Sequence, residues 1–135
     1  MKNHVHVIST KFNVDKVNKV VVCELSCDLQ LEKTVGITFI DSDIWQKTFP
    51  KVSFNGMFKV TAKARCYSTD TFDETKGKRI AESRAKAKMY KIATGVWSKI
   101  EESYYRLARE CSNVKTACSV MTSLEDKHVK ELEKA

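Results

Sequence analysis

The sequence predicts a single α+β domain over residues 1–135, in which a small antiparallel sheet of about four strands precedes a long α-helix and a second, C-terminal helix. The spacing of apolar residues is the main evidence. In residues 1–67 they recur mostly at every second position, as in strands, whereas in residues 72–134 they recur at every third or fourth position, as in helices. The 135 residues include four glycines and one proline and no linker-like segment, which favours one globular domain.

Three segments of the N-terminal half have the alternation of strands. HVHVI (4–8) alternates weakly, and VVCELSCDL (21–29) places its odd-numbered residues, all apolar or cysteine, on one face. TVGITFI (34–40) also has three apolar residues on one face. Because few residues separate the last two segments, we predict that they form an antiparallel hairpin.

A short helix and a fourth strand follow. The polar residues at 41–43 offer N-cap side chains for a helix over DIWQKTF (43–49), and Pro50 ends it. After the turn FNG (54–56), FKVTAKARCY (58–67) alternates regularly, with Cys66 predicted to be a buried filler. Its apolar residues predict a core face, and its opposite face carries Lys59, Lys63, Arg65 and Tyr67.

The C-terminal half predicts two helices. Thr71 and Glu74 fit a capping box, so the first should begin near residues 72–73. Gly95 is the position where this helix is most easily kinked, since a mid-helix glycine costs about 1 kcal/mol relative to alanine. We predict a turn at residues 112–113 and then a second helix. The apolar stripe of the first helix consists of Ala81, Ala85, Met89, Ile92, Val96, Ile100, Tyr104, Leu107 and Cys111.

Positive charge is concentrated in the middle of the chain. Residues 1–50 hold six Lys and Arg against six Asp and Glu, and residues 101–135 hold six against seven. Residues 51–100 hold twelve against four, so they carry more than the whole net charge of +7. A clustered excess of this kind favours a polyanionic partner.

The cations of the fourth strand directly precede those of the long helix. We predict that both sets form one phosphate-binding surface with an aromatic ring available for stacking, helped by the free N–H groups at the helix N-terminus. Two other interpretations stay open, an ordinary solvated basic surface and a surface for an acidic protein. The predicted nucleic-acid-binding residues are Lys59, Lys63, Arg65, Tyr67, Lys76, Lys78, Arg79, Arg84, Lys88 and Lys91.

No catalytic motif emerges from the sequence. An E-x-K triplet at Glu74–Lys76, with Asp70 or Asp73 as a second carboxylate, is the only hint of a metal-dependent nuclease. Ala93 and Gly95 lie too close together for a helix-turn-helix. The five cysteines form no C-x-x-C pair and are read as reduced thiols. We therefore predict a protein that is not an enzyme and has no metal ion or cofactor.

Residues 54–88 resemble a pattern found in small uncharacterised proteins encoded by bacteriophages and prophages. The pattern is a strand with G-x-A-x-C-like residues, an acidic D-x-F-D turn and a helix opening G-K-x-I-A. The resemblance implies a phage setting, and a structural turn at Asp70, Phe72 and Gly77 that docks the helix on the sheet. The matching residues are Ala64, Cys66, Asp70, Phe72, Asp73, Gly77, Lys78, Ile80 and Ala81.

These observations lead to two function hypotheses. The first is a small phage-type protein that binds nucleic acid or a nucleoprotein through the basic strand and helix. The alternative is a protein-interaction module: a homodimer through residues 96–134, a virion component or an inhibitor of a host defence complex. No apolar run reaches the roughly 20 residues that a spanning helix needs, and the N-terminus has no signal-peptide block, so we expect the cytoplasm and no membrane partner.

Overall fold

The computed structural model describes residues 4–31, 42–66 and 71–135 and has α+β architecture. Its strands are β1 (His6–Asp15), β2 (Val20–Asp28) and β3 (Met57–Arg65), and its helices are α1 (Ser42–Thr48) and α2 (Glu74–Lys134). The α+β class is therefore confirmed, with three strands in the described part of the chain. The strand predicted at 34–40 lies outside the described residues. The chain divides into two compact units, Met1–Val96 and Trp97–Ala135.

The sheet is antiparallel, with β2 between β1 and β3. Each of the nine residues of β2 has a partner on β3, from Val20 opposite Arg65 to Asp28 opposite Met57. The other edge of β2 pairs with β1 through the turn at 16–19. The predicted hairpin between 21–29 and 34–40 is therefore wrong, because both edges of β2 are occupied by other strands.

Strand β1 is longer than the predicted segment 4–8, and a β-bulge explains why. Val7 lies opposite Cys27 and Ser9 opposite Ser26, so Ile8 has no partner in the register. An extra residue shifts the alternation by one, so side chains after the bulge change faces relative to those before it. The sequence pattern of β1 therefore does not look like one continuous strand.

The inner face of the sheet forms the core with the first half of α2. On β2 the residues Val21, Cys23, Leu25 and Cys27 are fully buried, and the apolar face of β3 is buried beside them. Gly77 lies so close to this face that a Cβ there would be 2.9 Å from Val21 Cγ2. The absence of a side chain at Gly77 therefore lets the helix pack closely on the sheet.

Helix α1 and the loop after it carry a second part of the core. Trp45 is fully buried, and its indole Nε1 donates a hydrogen bond to the Val52 carbonyl at 3.0 Å. Its ring lies 4.4 Å from that of Phe49 and 6.0 Å from that of Phe54, measured between centroids. The short helix predicted at 43–49 is confirmed, shifted by one residue at each end, and Pro50 follows it.

The N-cap of α2 differs from the prediction. Asp73 Oδ1 accepts a hydrogen bond from the Lys76 backbone N–H at 3.1 Å, which makes Asp73 the N-cap and Glu74 the first helical residue. The capping box predicted from Thr71 and Glu74 is therefore wrong. Both residues fit the motif, but Asp73 lies directly before the helix and accepts the Lys76 N–H, the donor three residues after it.

Helix α2 is continuous from Glu74 to Lys134, so the predicted turn at 112–113 and the separate C-terminal helix are wrong. Serine and asparagine cost well under about 1 kcal/mol each in a helix interior, too little to end a long helix. Hydroxyl groups nearby bond within the helix: Thr116 donates to the Ser112 carbonyl and Thr122 to the Cys118 carbonyl, both at 3.0 Å. Gly95 is helical too, so no break occurs there.

The apolar stripe of α2 is buried in its first part and exposed in its second. Ala81, Ala85 and Met89 are fully buried, and the stripe stays buried at Val96 and Ile100. From residue 105 onward every residue is exposed. Leu107 and Cys111 of the same stripe are therefore exposed. Cys66, predicted to be buried, is only half-buried.

Candidate nucleic-acid interface

Strand β3 presents its cations on the outer face of the sheet. Lys59, Lys63 and Arg65 are exposed and alternate with the buried apolar residues of the same strand, as the sequence predicted. β3 is an edge strand of the described sheet. Within the described residues, no strand pairs with the other edge of β3.

Two helix cations reach the edge of β3 and bind its backbone. Arg84 donates from its guanidinium to the Lys63 carbonyl at 3.0 Å, and Lys88 donates from Nζ to the Thr61 carbonyl at 2.8 Å. These bonds satisfy carbonyl groups that an edge strand leaves unpaired. Arg84 and Lys88 thus have a structural role, and the same bonds fix their positive charges beside the β3 cations.

A cavity of about 430 Å³ lies between the end of β3 and the start of α2, and Arg65 and Lys76 both line it. Asp73 lines it as well, and its carboxylate already accepts the Lys76 backbone N–H. The carboxylate opposes an anion and takes a donor that a phosphate would use. The predicted contribution of the helix N-terminus to phosphate binding is therefore not supported.

Three of the basic residues are paired with carboxylates. Lys59 lies 3.8 Å from Glu24, Lys78 lies 3.5 Å from Glu74, and Lys86 lies 3.2 Å from Glu82. Each of these side chains is at least a third exposed, and such pairs contribute only about 0–1 kcal/mol. Lys78 also lies 5.6 Å above the ring of Phe12 on β1, so it is on the side of α2 away from β3.

The remaining predicted residues divide by their position on the helix. Lys91 follows Arg84 by seven residues, which places both on the same face, but Lys91 is not among the residues that bond β3 or line the cavity. Arg79 precedes Arg84 by five residues, about 140° around the helix, and so faces away from the β3 edge. Tyr67, the predicted stacking residue, lies outside the described residues.

The structure therefore brings together part of the predicted set. We call this part the β3-edge surface. Among the described residues, no carboxylate lies within ion-pair distance of its cations. Fixed, unneutralised cations along one edge are suited to phosphate groups spaced along a strand. The β3-edge surface consists of Lys63, Arg65, Lys76, Arg84 and Lys88.

The other candidate chemistry gains no support from the geometry. Glu74 pairs with Lys78 and Asp73 caps α2, so both carboxylates of the E-x-K hypothesis already have structural partners. The described residues include no group of three or more His, Cys, Asp and Glu side chains placed to hold a metal ion. Burial raises the pKa of the Cys23 and Cys27 thiols, which keeps both protonated at neutral pH.

Sequence reasoning missed the backbone partners of Arg84 and Lys88. Their spacing of four residues does place both on one side of the alanine stripe, a signal that they lie next to the sheet. It does not show that their partners are carbonyl groups of β3. Only the packing of α2 against the sheet provides these acceptors.

Comparison with known proteins finds no matching family model, no matching curated protein and no matching solved structure. The resemblance of residues 54–88 to phage proteins stays a prediction. Within the residues that the structure describes, no helix combines the length and the apolar character needed to cross a membrane.

Proposed function

We propose that this chain is a small phage-type protein without catalytic activity that binds nucleic acid, or a nucleoprotein, through the β3-edge surface. The observation that carries the proposal is the alignment of Lys63, Arg65 and Lys76 with two cations fixed on the β3 backbone. Contacts are mainly to phosphates, so binding depends strongly on salt and little on base sequence.

Charge distribution favours this proposal over an ordinary solvated surface. A solvated basic surface usually has carboxylates interspersed, as on the β1 side of α2, where Lys78 lies over Phe12 and pairs with Glu74. On the β3 side, Arg84 and Lys88 have carbonyl groups as partners, so their charges are not neutralised. Lys63, Arg84 and Lys88 therefore retain their attraction for an anion, whereas the Asp73 carboxylate weakens that attraction beside Arg65 and Lys76.

The proposal is tested by fluorescence anisotropy with labelled single-stranded DNA, duplex DNA and RNA at several salt concentrations. With about four or five phosphate contacts, affinity falls roughly a hundredfold between about 50 mM and about 200 mM salt. Different base sequences give similar affinities. Binding that is absent at low salt, or that does not change with salt, contradicts the proposal.

A charge-matched pair of variants locates the surface. The triple variant Lys63→Gln, Arg65→Gln and Lys76→Gln removes three cations that no described residue pairs, while Arg84 and Lys88 continue to bind β3. Its salt slope decreases by about three. The control, Lys127→Gln, Lys130→Gln and Lys134→Gln, removes the same charge from exposed positions near the end of α2. An equal loss of binding in both variants shows that only net charge matters and refutes the assigned surface.

A second candidate function is supported by a different observation, the exposed apolar residues in the second part of α2. Val114, Val120, Met121, Leu124, Val129 and Leu132 each have half or more of their surface exposed. A soluble partner helix commonly covers such a face. We propose protein interaction through this part of α2, with another copy, a phage protein or a host protein as the partner.

Size measurement separates the two candidates. Sedimentation velocity at low and high salt, with and without DNA, distinguishes a salt-resistant oligomer from a nucleic-acid complex that dissociates in salt. A dimer that survives high salt, in a chain that binds no nucleic acid, favours the second candidate. A monomer that binds DNA at low salt favours the first.

A further inference from the structure

The exposed part of α2 has a seven-residue repeat of apolar positions that the predicted stripe only partly included. From Trp97 to Met121 the apolar residues are spaced alternately three and four apart without interruption, as in the a and d positions of a coiled coil. Positions a are Trp97, Tyr104, Cys111 and Cys118, and positions d are Ile100, Leu107, Val114 and Met121.

The repeat lies within the unit Trp97–Ala135 and is open over most of its length. Ile100 is buried, but Leu107 is 41% exposed, Val114 is 62% exposed and Met121 is 55% exposed. Cys111 and Cys118, which lie between them on the seam, are exposed free thiols. An apolar seam with a period of 3.5 residues fits another helix with the same period, because both helices keep the seam in contact as they supercoil.

We infer that two copies of this chain pair in parallel and in register through the seam from Tyr104 to Met121. This inference rests on the second candidate function and is independent of nucleic-acid binding. The partner is a second copy because the seam is complementary to itself. In the parallel pair, each position faces the same residue of the other copy.

The residues beside the seam favour the parallel orientation. In a parallel pair, the g residue of one helix faces the e residue of the next heptad on the other. Glu110 at g then faces Lys115 at e of the second copy, twice per dimer. The neighbouring e and g positions are Ser103, Ala108, Ala117 and Thr122, which add no like-charge contact.

An antiparallel pair leaves Glu110 without a cation opposite it. There, g residues face g residues, so Glu110 meets only Ser103, Ala117, Leu124 or an acidic residue, none of which is a cation. The parallel pair also places Leu124 at g opposite Val129 at e, so both of these exposed residues are covered. Beyond Met121 the next seam positions are Glu125 and His128, which end the apolar contact.

The first experiment tests the seam with two variants of equal charge. Val114→Glu places a carboxylate at a d position, and Thr116→Glu places one on the opposite side of the helix two residues later. Sedimentation equilibrium in high salt over micromolar concentrations should show a reversible dimer for the unmodified chain and for Thr116→Glu, and a monomer for Val114→Glu. Circular dichroism confirms that both variants keep the helix.

The second experiment tests the orientation by disulfide trapping with diamide. In the parallel register, Cys111 faces Cys111 and Cys118 faces Cys118, so each variant that retains one of the two thiols forms a disulfide-linked dimer on a non-reducing gel. Thr116→Cys in a chain lacking both thiols is the control and remains uncrosslinked, because its thiol faces away from the seam.

The outcomes separate the inference from the functions on which it rests. A monomer at all concentrations overturns the inference and leaves nucleic-acid binding to its own test. If the Val114→Glu variant still forms a dimer, the two copies do not pair through this seam. A dimer that dissociates in Val114→Glu but is not trapped by either thiol overturns the parallel register, while protein interaction through α2 survives.

Discussion

The two parts of α2 have similar apolar periodicity but opposite environments. Up to Val96 the stripe is buried at Ala81, Ala85, Met89 and Val96 and half-buried at Ile92. From Leu107 onward it is exposed, although Val114 and Met121 are the same residue types as the buried Val96 and Met89. Small residues let a helix approach a sheet closely, as Gly77 approaches Val21. The comparison teaches that neither the period nor the residue types of the stripe show which part is buried and which part is exposed.

Thiol reactivity tests this contrast with the largest expected effect. Cys23 and Cys27 are buried and their pKa values are raised, first by burial and, for Cys23, also by the charge of Glu82. Since the thiolate is the reactive form, we expect them to react with iodoacetamide about a thousandfold more slowly than Cys111 and Cys118 in the monomer. Mass spectrometry of digested samples measures each rate. Rapid labelling of Cys23 in the folded chain contradicts the core described for β2.

A pair of methionines gives the next largest difference. Met89 is fully buried and Met121 is 55% exposed. Met89→Ala leaves a cavity and should lower the free energy of unfolding by about 2–5 kcal/mol. Met121→Ala should change it by less than about 0.5 kcal/mol at concentrations where the chain is monomeric. Urea unfolding of both variants measures the difference, and equal losses show that the two parts of the stripe are covered alike.

Two glycines of α2 are expected to respond in opposite directions. Gly77→Ala places a Cβ 2.9 Å from Val21 Cγ2, and relieving this clash should cost about 1–3 kcal/mol of stability. Gly95 has no atom within 4 Å of an added Cβ, so Gly95→Ala should stabilise the chain by about 0.4–1 kcal/mol. Thermal unfolding followed by circular dichroism of the helices measures the change in stability of both variants. A destabilised Gly95→Ala variant indicates a contact at this position that the structure lacks.

The N-cap of α2 gives the smallest difference. Asp73→Ala removes the acceptor for the Lys76 N–H and should lower the free energy of unfolding by about 1 kcal/mol. Thr71→Ala, which alters the residue that the capping-box motif selects, should change it by less than about 0.5 kcal/mol. If urea unfolding shows a larger loss of unfolding free energy for Thr71→Ala than for Asp73→Ala, then Thr71 is the N-cap.

Part of the candidate interface could be predicted from the sequence. The outward direction of Lys63 and Arg65 follows from strand alternation, because successive side chains point to opposite faces. The common side of Arg84 and Lys88 follows from helix geometry. The separation of Lys78 and Arg79 from this surface could not be predicted, because it depends on which side of α2 faces β3.

The sequence by itself determined the local structure: the α+β class, the inner faces of β2 and β3, the helical period of α2 and the concentration of positive charge in residues 51–100. These follow from backbone geometry and side-chain spacing, which act over a few residues. Tertiary structure alone decided the strand partners of β2, the carbonyl partners of Arg84 and Lys88, and which part of the α2 stripe is covered. Each of these depends on contacts between residues distant in the chain, where several arrangements satisfy the same local pattern and packing selects one.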